Sequence, residues 1–124
     1  MDYINTKKAP AAIGPYSQAI DLGDFVFLSG QIPAVAETGE LVEGTIEEKT
    51  ERVFTNINAI LEEAGLKPSN VVKATVFVKD LGNFGKINGV YANFFGDHKP
   101  ARSFVEVSDL PKGVDVEIEV IAKR

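Results

Sequence analysis

The chain has 124 residues, 44% of them hydrophobic and 25% charged, a length and balance that suit one globular domain around one core and exclude disorder and low-complexity scaffolding. A net charge of −5 and the absence of cysteine remove disulfides, thiolate metal sites and thiol nucleophiles, and disfavour a nucleic-acid surface, which needs clustered Lys and Arg. No apolar run approaches the ~20 residues of a membrane span, and the first residues lack the basic-then-apolar layout of a signal peptide, so a cytosolic protein is expected.

In chain order, an additional strand at 2–6 precedes two apolar stretches split by Leu22-Gly23-Asp24, which predict a hairpin with strands at 17–22 and 25–30. Residues 33–44 mix Pro, Gly, Thr and Glu without a period and form a loop, with a turn at Thr38-Gly39. Thr45-Ile46-Glu47-Glu48 fits a capping box, and Ile46, Val53, Ile57, Ile60, Leu61 and Ala64 continue at helical spacing until Gly65 supplies a left-handed stop, predicting a helix over 46–64. Val71 to Lys79 is nearly all apolar and β-branched, as suits a mid-sheet strand covered on both faces. Phe84, Ile87, Tyr91, Phe94 and Phe95 mark a second helix at 82–95, although Gly82, Gly85 and Gly89 weaken it.

Two strands close the chain, at 101–107 and 114–122, joined by Ser108 to Gly113. In the last one Val114, Val116, Ile118 and Val120 take one face, and Asp115, Glu117 and Glu119 the other. The order ββ-α-β-α-ββ makes an α+β domain whose two helices cover one face of a mixed sheet. Because the central strand is apolar on both sides, the other face is expected to be covered by further copies in a closed homo-oligomer; a monomer with one wet face is the alternative.

The only histidine, His98, has no second ligand partner nearby in sequence and fits a surface or capping role, and no metal cluster assembles around it. Neither a phosphate loop nor a G-x-S-x-G elbow is present. Two features remain. Arg102 stands at the start of an otherwise apolar strand, where a guanidinium is costly to bury without an anion. If the last two strands form a hairpin with Val107 opposite Val114, Phe104 faces Glu117 and Arg102 faces Glu119, which leaves Arg102 and Glu117 diagonal neighbours on one face, ~7–8 Å apart. That pair is either an ordinary cross-strand ion pair or an arginine fork for a ligand carboxylate beside an acid–base carboxylate.

Five segments in order carry a family resemblance over essentially the whole chain: Ala9-Pro10-Ala11-Ala12-Ile13-Gly14-Pro15-Tyr16-Ser17-Gln18, Ser29-Gly30-Gln31-Ile32-Pro33, Val72 to Asp80, Pro100-Ala101-Arg102-Ser103 and Val116-Glu117-Ile118-Glu119. The chain resembles the Rid family of reactive-intermediate imine deaminases, also called the YjgF family, and looks like its RidA branch. The resemblance implies a chorismate-mutase-like (YjgF-type) fold, a homotrimer that packs its sheets together with pockets at the subunit interfaces, and cofactor-free hydrolysis of 2-iminopropanoate and 2-iminobutanoate to 2-oxo acids and ammonia. It assigns carboxylate binding to Arg102 and water positioning to Glu117, and places Tyr16, Ser29, Gly30 and Asn88 in the pocket lining. Without it, Tyr16 fits a core tyrosine and Asn88 a helix-surface amide. Phe104 stands where the family usually has cysteine, which alters the pocket wall. A non-catalytic 2-oxo acid-binding or regulatory trimer is the alternative; a ribonuclease, a reading that follows an old family label of translation inhibitor, is disfavoured by the acidic charge, the absence of a basic stripe and the single isolated histidine.

Overall fold

A computed structural model describes all 124 residues. Six strands form one mixed sheet: β1 (Asp2–Ile4), β2 (Ala19–Asp21), β3 (Phe25–Leu28), β4 (Val71–Val78), β5 (Ala101–Glu106) and β6 (Val116–Lys123), in the spatial order β1-β2-β3-β6-β4-β5. Two helices, α1 (Ile46–Glu63) and α2 (Phe84–Phe95), lie on one face. No helix is long and apolar enough to cross a membrane.

Local chemistry explains most elements. The Thr45 hydroxyl accepts the Glu48 N–H at 3.1 Å while the Glu48 carboxylate accepts the Thr45 N–H at 3.0 Å, so the box closes reciprocally. These bonds from Thr45 hold the Glu48 carboxyl below the ordinary carboxylate range. At the far end Gly65 has φ +75°, a conformation that costs glycine little. Val53, Ile57, Ile60 and Leu61 of α1 and Ile87, Tyr91 and Phe95 of α2 meet Val26, Leu28, Ala74, Val76, Val78, Val116, Ile118 and Val120 of the sheet in one core. Phe54 and Phe94, stacked at 4.5 Å between centroids, join the helices to each other.

Three expectations change. First, the last two strands are not a hairpin, because β5 runs parallel to β4, which pairs antiparallel with β6 on its other side. A parallel neighbour requires a crossover, and α2 supplies it between β4 and β5. Residues 107–115 then straddle the end of β4: the Val107 N–H donates to Val78 O at 2.8 Å and the Lys79 N–H to Asp115 O at 3.4 Å. Second, β4 is interior but next to the edge strand, and within one chain it is covered on one face only, with Val76 and Val78 buried and Thr75 and Phe77 half-buried on the other side. Third, the additional strand is shorter than 2–6, and the second helix starts at Phe84 after a turn of 3₁₀ helix at Leu81–Asn83.

The uncovered face carries Phe25 at 39% exposure, Phe27 at 44% and Val105 at 40%, together with Phe77, Ile121, Glu117 and Glu119. Replacing Thr45 with Ala removes the hydroxyl that accepts the Glu48 N–H while leaving the backbone N–H that the Glu48 carboxylate accepts, and should lower unfolding free energy by about 1 kcal/mol in urea titrations; an unchanged midpoint would show that the hydroxyl contributes nothing.

Candidate active site

Strand register fixes where the charged groups point. Arg102 pairs with Ala74, which pairs with Val120, so the arginine projects to the helix side. Glu117 pairs with Phe77, which pairs with Val105, and projects to the uncovered side. The expectation that Arg102 and Glu117 share a face therefore fails: β4 lies between their strands and shifts the register by an odd number of residues. Phe104 is in a row with Val76 and Ile118, not opposite Glu117. The candidate residues separate into two groups.

The first group surrounds Arg102. Its Nη1 donates to Asn88 Oδ1 at 2.6 Å, and its guanidinium carbon lies 4.7 Å from the ring centre of Tyr91, 5.4 Å from Phe104 and 5.7 Å from Phe84. These aromatic faces stabilise the cation and hold its plane. No carboxylate lies within ion-pair distance of it; the salt bridges of the chain are Lys49–Asp115, Lys79–Asp109 and Arg124–Asp21. The cross-strand ion pair is thereby ruled out within one chain. Asn88 is not a free helix-surface amide, since it anchors the arginine. A cavity of about 320 Å³ opens beside this group, lined by Asn88, Tyr91, His98, Lys99 and Arg102 among others. Burial pushes the Tyr91 phenol above its ordinary value, partly offset by the Arg102 charge.

The second group surrounds Glu117. The Gln31 N–H donates to Ile118 O at 2.8 Å and the Ile118 N–H to Gln31 O at 3.1 Å, which seats Gly30 against the glutamate. A Cβ on Gly30 would overlap the carboxylate, 2.9 Å from Glu117 Cδ, so glycine is what permits this approach. The Ser29 hydroxyl donates to Ser17 O at 2.6 Å and ties the two segments together. Tyr16 is 55% exposed, so it is not a core residue. It shares a cavity of about 440 Å³ with Gly30, Gln31 and Lys112. Partial burial, and then the neighbouring Glu119 charge, raise the Glu117 carboxyl above the ordinary carboxylate range.

Several residues outside the expected site residues support the site. Asn56 is wholly buried on α1 and donates to Ile32 O at 3.2 Å and Ala34 O at 2.9 Å, bracing the segment after Gly30. Gln18, 2% exposed, accepts the Thr6 N–H at 2.7 Å and donates to Pro10 O at 2.9 Å, fixing the chain that leads to Tyr16. Phe84 and Tyr91 read as helix-face apolar residues until Arg102 is seen between them. His98 braces its loop through Nε2 and Val71 O, 2.6 Å apart. No cluster of three or more His, Cys, Asp or Glu side chains is close enough to hold a metal ion.

Replacing Glu119 with Gln removes the like charge beside Glu117. In a carbon-13 NMR titration the Glu117 carboxyl should then ionise at lower pH than in the parent, yet still above the ordinary range because burial is the larger cause. An unmoved titration would show that Glu119 exerts no effect.

Residues 6–124 match the family described as Endoribonuclease L-PSP. The chain is 59% identical to a RutC family protein of Pyrococcus abyssi, over 99% of this chain and 97% of that protein. It is 51% identical to the 2-iminobutanoate/2-iminopropanoate deaminase of Escherichia coli strain K12, over 98% and 96%. Among solved structures, a putative endoribonuclease of Thermotoga maritima superposes with a TM-score of 0.98 at 56% identity, covering 100% of this chain and 98% of that one. Escherichia coli TdcF with bound serine superposes at 0.95 and 46% identity, covering 100% and 99%. With the sheet, the two helices and the motifs all in correspondence, the chain belongs to the Endoribonuclease L-PSP family, also called the YjgF or Rid family.

Proposed function

We propose that this protein is a cytosolic reactive-intermediate deaminase that hydrolyses 2-imino acids, 2-iminopropanoate and 2-iminobutanoate among them, to 2-oxo acids and ammonia without a cofactor. The carrying observation is Arg102, a half-buried guanidinium held by Asn88 and three aromatic rings with no carboxylate of its own chain beside it. A cation in that setting gains most from an anion of matching shape, and a planar carboxylate matches the fork. Nη1 is committed to Asn88, which leaves the Nε and Nη2 edge for two parallel bonds. The deaminase name of the Escherichia coli relative supports an imine as the rest of the molecule, and serine bound to TdcF supports a ligand shaped like an amino acid.

Arg102 and Glu117 face opposite sides of one sheet, so this function asks for a second chain. In the proposed homotrimer the apolar residues of the uncovered face, Phe25, Phe27, Phe77, Ile121 and Val105, pack against neighbouring copies, and each site joins Arg102 of one protomer to Glu117, Gly30, Ser29 and Tyr16 of the next. Arg102 then fixes the substrate carboxylate and turns a loose encounter into an oriented one. Glu117 takes a proton from water as the oxygen adds to the C=N carbon, and the nitrogen gains the proton that makes it an amine. The carbinolamine so formed loses ammonia as its C–N bond breaks and the carbonyl forms, Glu117 taking the hydroxyl proton and passing it to the departing nitrogen. A carboxyl poised above the usual range is the better base once ionised. Phe104 and Asn88 line the carboxylate side of this site.

Arg102→Ala should abolish accelerated ammonia release from freshly generated 2-iminopropanoate, while light scattering still gives the mass of three chains. Glu117→Gln should slow hydrolysis about 100-fold yet keep 2-oxo acid binding in calorimetry. Unchanged turnover in the Arg102 variant contradicts the proposal; full activity in the Glu117 variant removes Glu117 from the chemistry, and a parent that binds 2-oxo acids without accelerating hydrolysis is a binding protein.

A further inference from the structure

The rings of Phe84 and Phe104 meet at 4.7 Å between centroids with a 58° tilt, and both flank the Arg102 guanidinium. Phe84 is 40% exposed, and Leu81 in the turn before it is 47% exposed. Neither is needed to close the core, because Ile87, Tyr91 and Phe95 are the α2 residues that bury against the sheet. Leu81 is nonetheless held in place, its N–H donating to Glu106 Oε1 at 2.9 Å. Glu106 follows Arg102 and Phe104 on the same side of β5, so its one polar anchor serves the loop. The result is an apolar platform of two rings, the exposed Phe84 and the half-buried Phe104, directly beside an arginine that lacks an anion, with the exposed Leu81 in the turn that leads to it.

We propose that this platform selects the substrate: imino acids with apolar side chains of three or more carbons are preferred over polar ones of the same length. The proposal rests on the deaminase reading and deepens it. A ligand whose carboxylate is gripped by Arg102 has its side chain within a few bonds of these rings. An aliphatic chain laid on them leaves water and covers exposed apolar surface. An amide-ended chain of similar length would give up water there and meet no hydrogen-bonding partner on the three side chains, which is how an apolar wall discriminates. Phe104 thus does more than replace a small side chain: with Phe84 it makes a surface that neither ring makes alone.

The imines of leucine and glutamine, released by an amino-acid oxidase, have side chains of similar length and opposite polarity. For the parent protein, kcat/KM on the leucine imine should exceed that on the glutamine imine by about tenfold. In Phe84→Ser and in Phe104→Ser the ratio should fall to within about twofold. The ratio is insensitive to a general loss of Arg102 alignment, which slows both imines alike. An active parent with no preference, or a ratio that survives both substitutions, overturns the platform while leaving the deaminase reading intact. A parent that accelerates neither imine overturns both.

Discussion

Backbone pairing that seats β4 between β5 and β6 holds Arg102 in a row with Ala74 and Val120 and Glu117 in a row with Phe77 and Val105. Because alternate residues of a strand project to opposite faces, this register decides that the cation lies under α2 and the carboxylate lies on the uncovered side. Everything at the candidate site depends on that separation. It leaves the arginine unneutralised by its own chain and the glutamate without a cation to lower its pKa. It also splits the candidate residues into two groups, each braced by its own hydrogen bonds: Asn88 for the arginine, and the Gln31–Ile118 bridge with Gly30 for the glutamate.

The two charges are conditioned in opposite senses by their surroundings. Three ring faces and an amide oxygen stabilise the guanidinium, so it can remain partly buried while keeping one edge for a ligand. Partial burial and Glu119 disfavour ionisation of Glu117, which keeps its proton affinity high. Had the two met inside one chain, as a hairpin between β5 and β6 would require, each would have cancelled the other's chemistry. In the proposed trimer they approach with the substrate between them, its carboxylate toward Arg102 and its C=N carbon toward Glu117.

Much of the architecture was legible in the sequence because its signals are local. Thr45 with Glu48, Gly65, and the alternation of Val116 to Val120 state where α1 begins, where it ends and which face of β6 is buried. Which strands are neighbours was not legible. Periodicity specifies faces but not partners, and the short Ser108–Gly113 link resembles a hairpin turn although it carries the chain across β4. At the site, the motif residues were identifiable by resemblance. The cage was not, because Phe84 and Tyr91 sit at ordinary helix-face positions and become cation partners only when the parallel β4–β5 pairing brings Arg102 beneath them. Asn56 and Gln18 are single buried amides whose partners are backbone carbonyls far away in sequence, a pattern with no signature in composition or spacing.

The most direct test of this account is complementation between inactive protomers. Arg102→Ala and Glu117→Gln chains, co-expressed in equal amounts, should form mixed trimers that each contain one intact interface, recovering about a quarter of parental imine hydrolysis, whereas either variant alone stays at its own low level. Activity in the mixture no higher than that of the two variants measured separately would contradict a site shared between Arg102 of one chain and Glu117 of another.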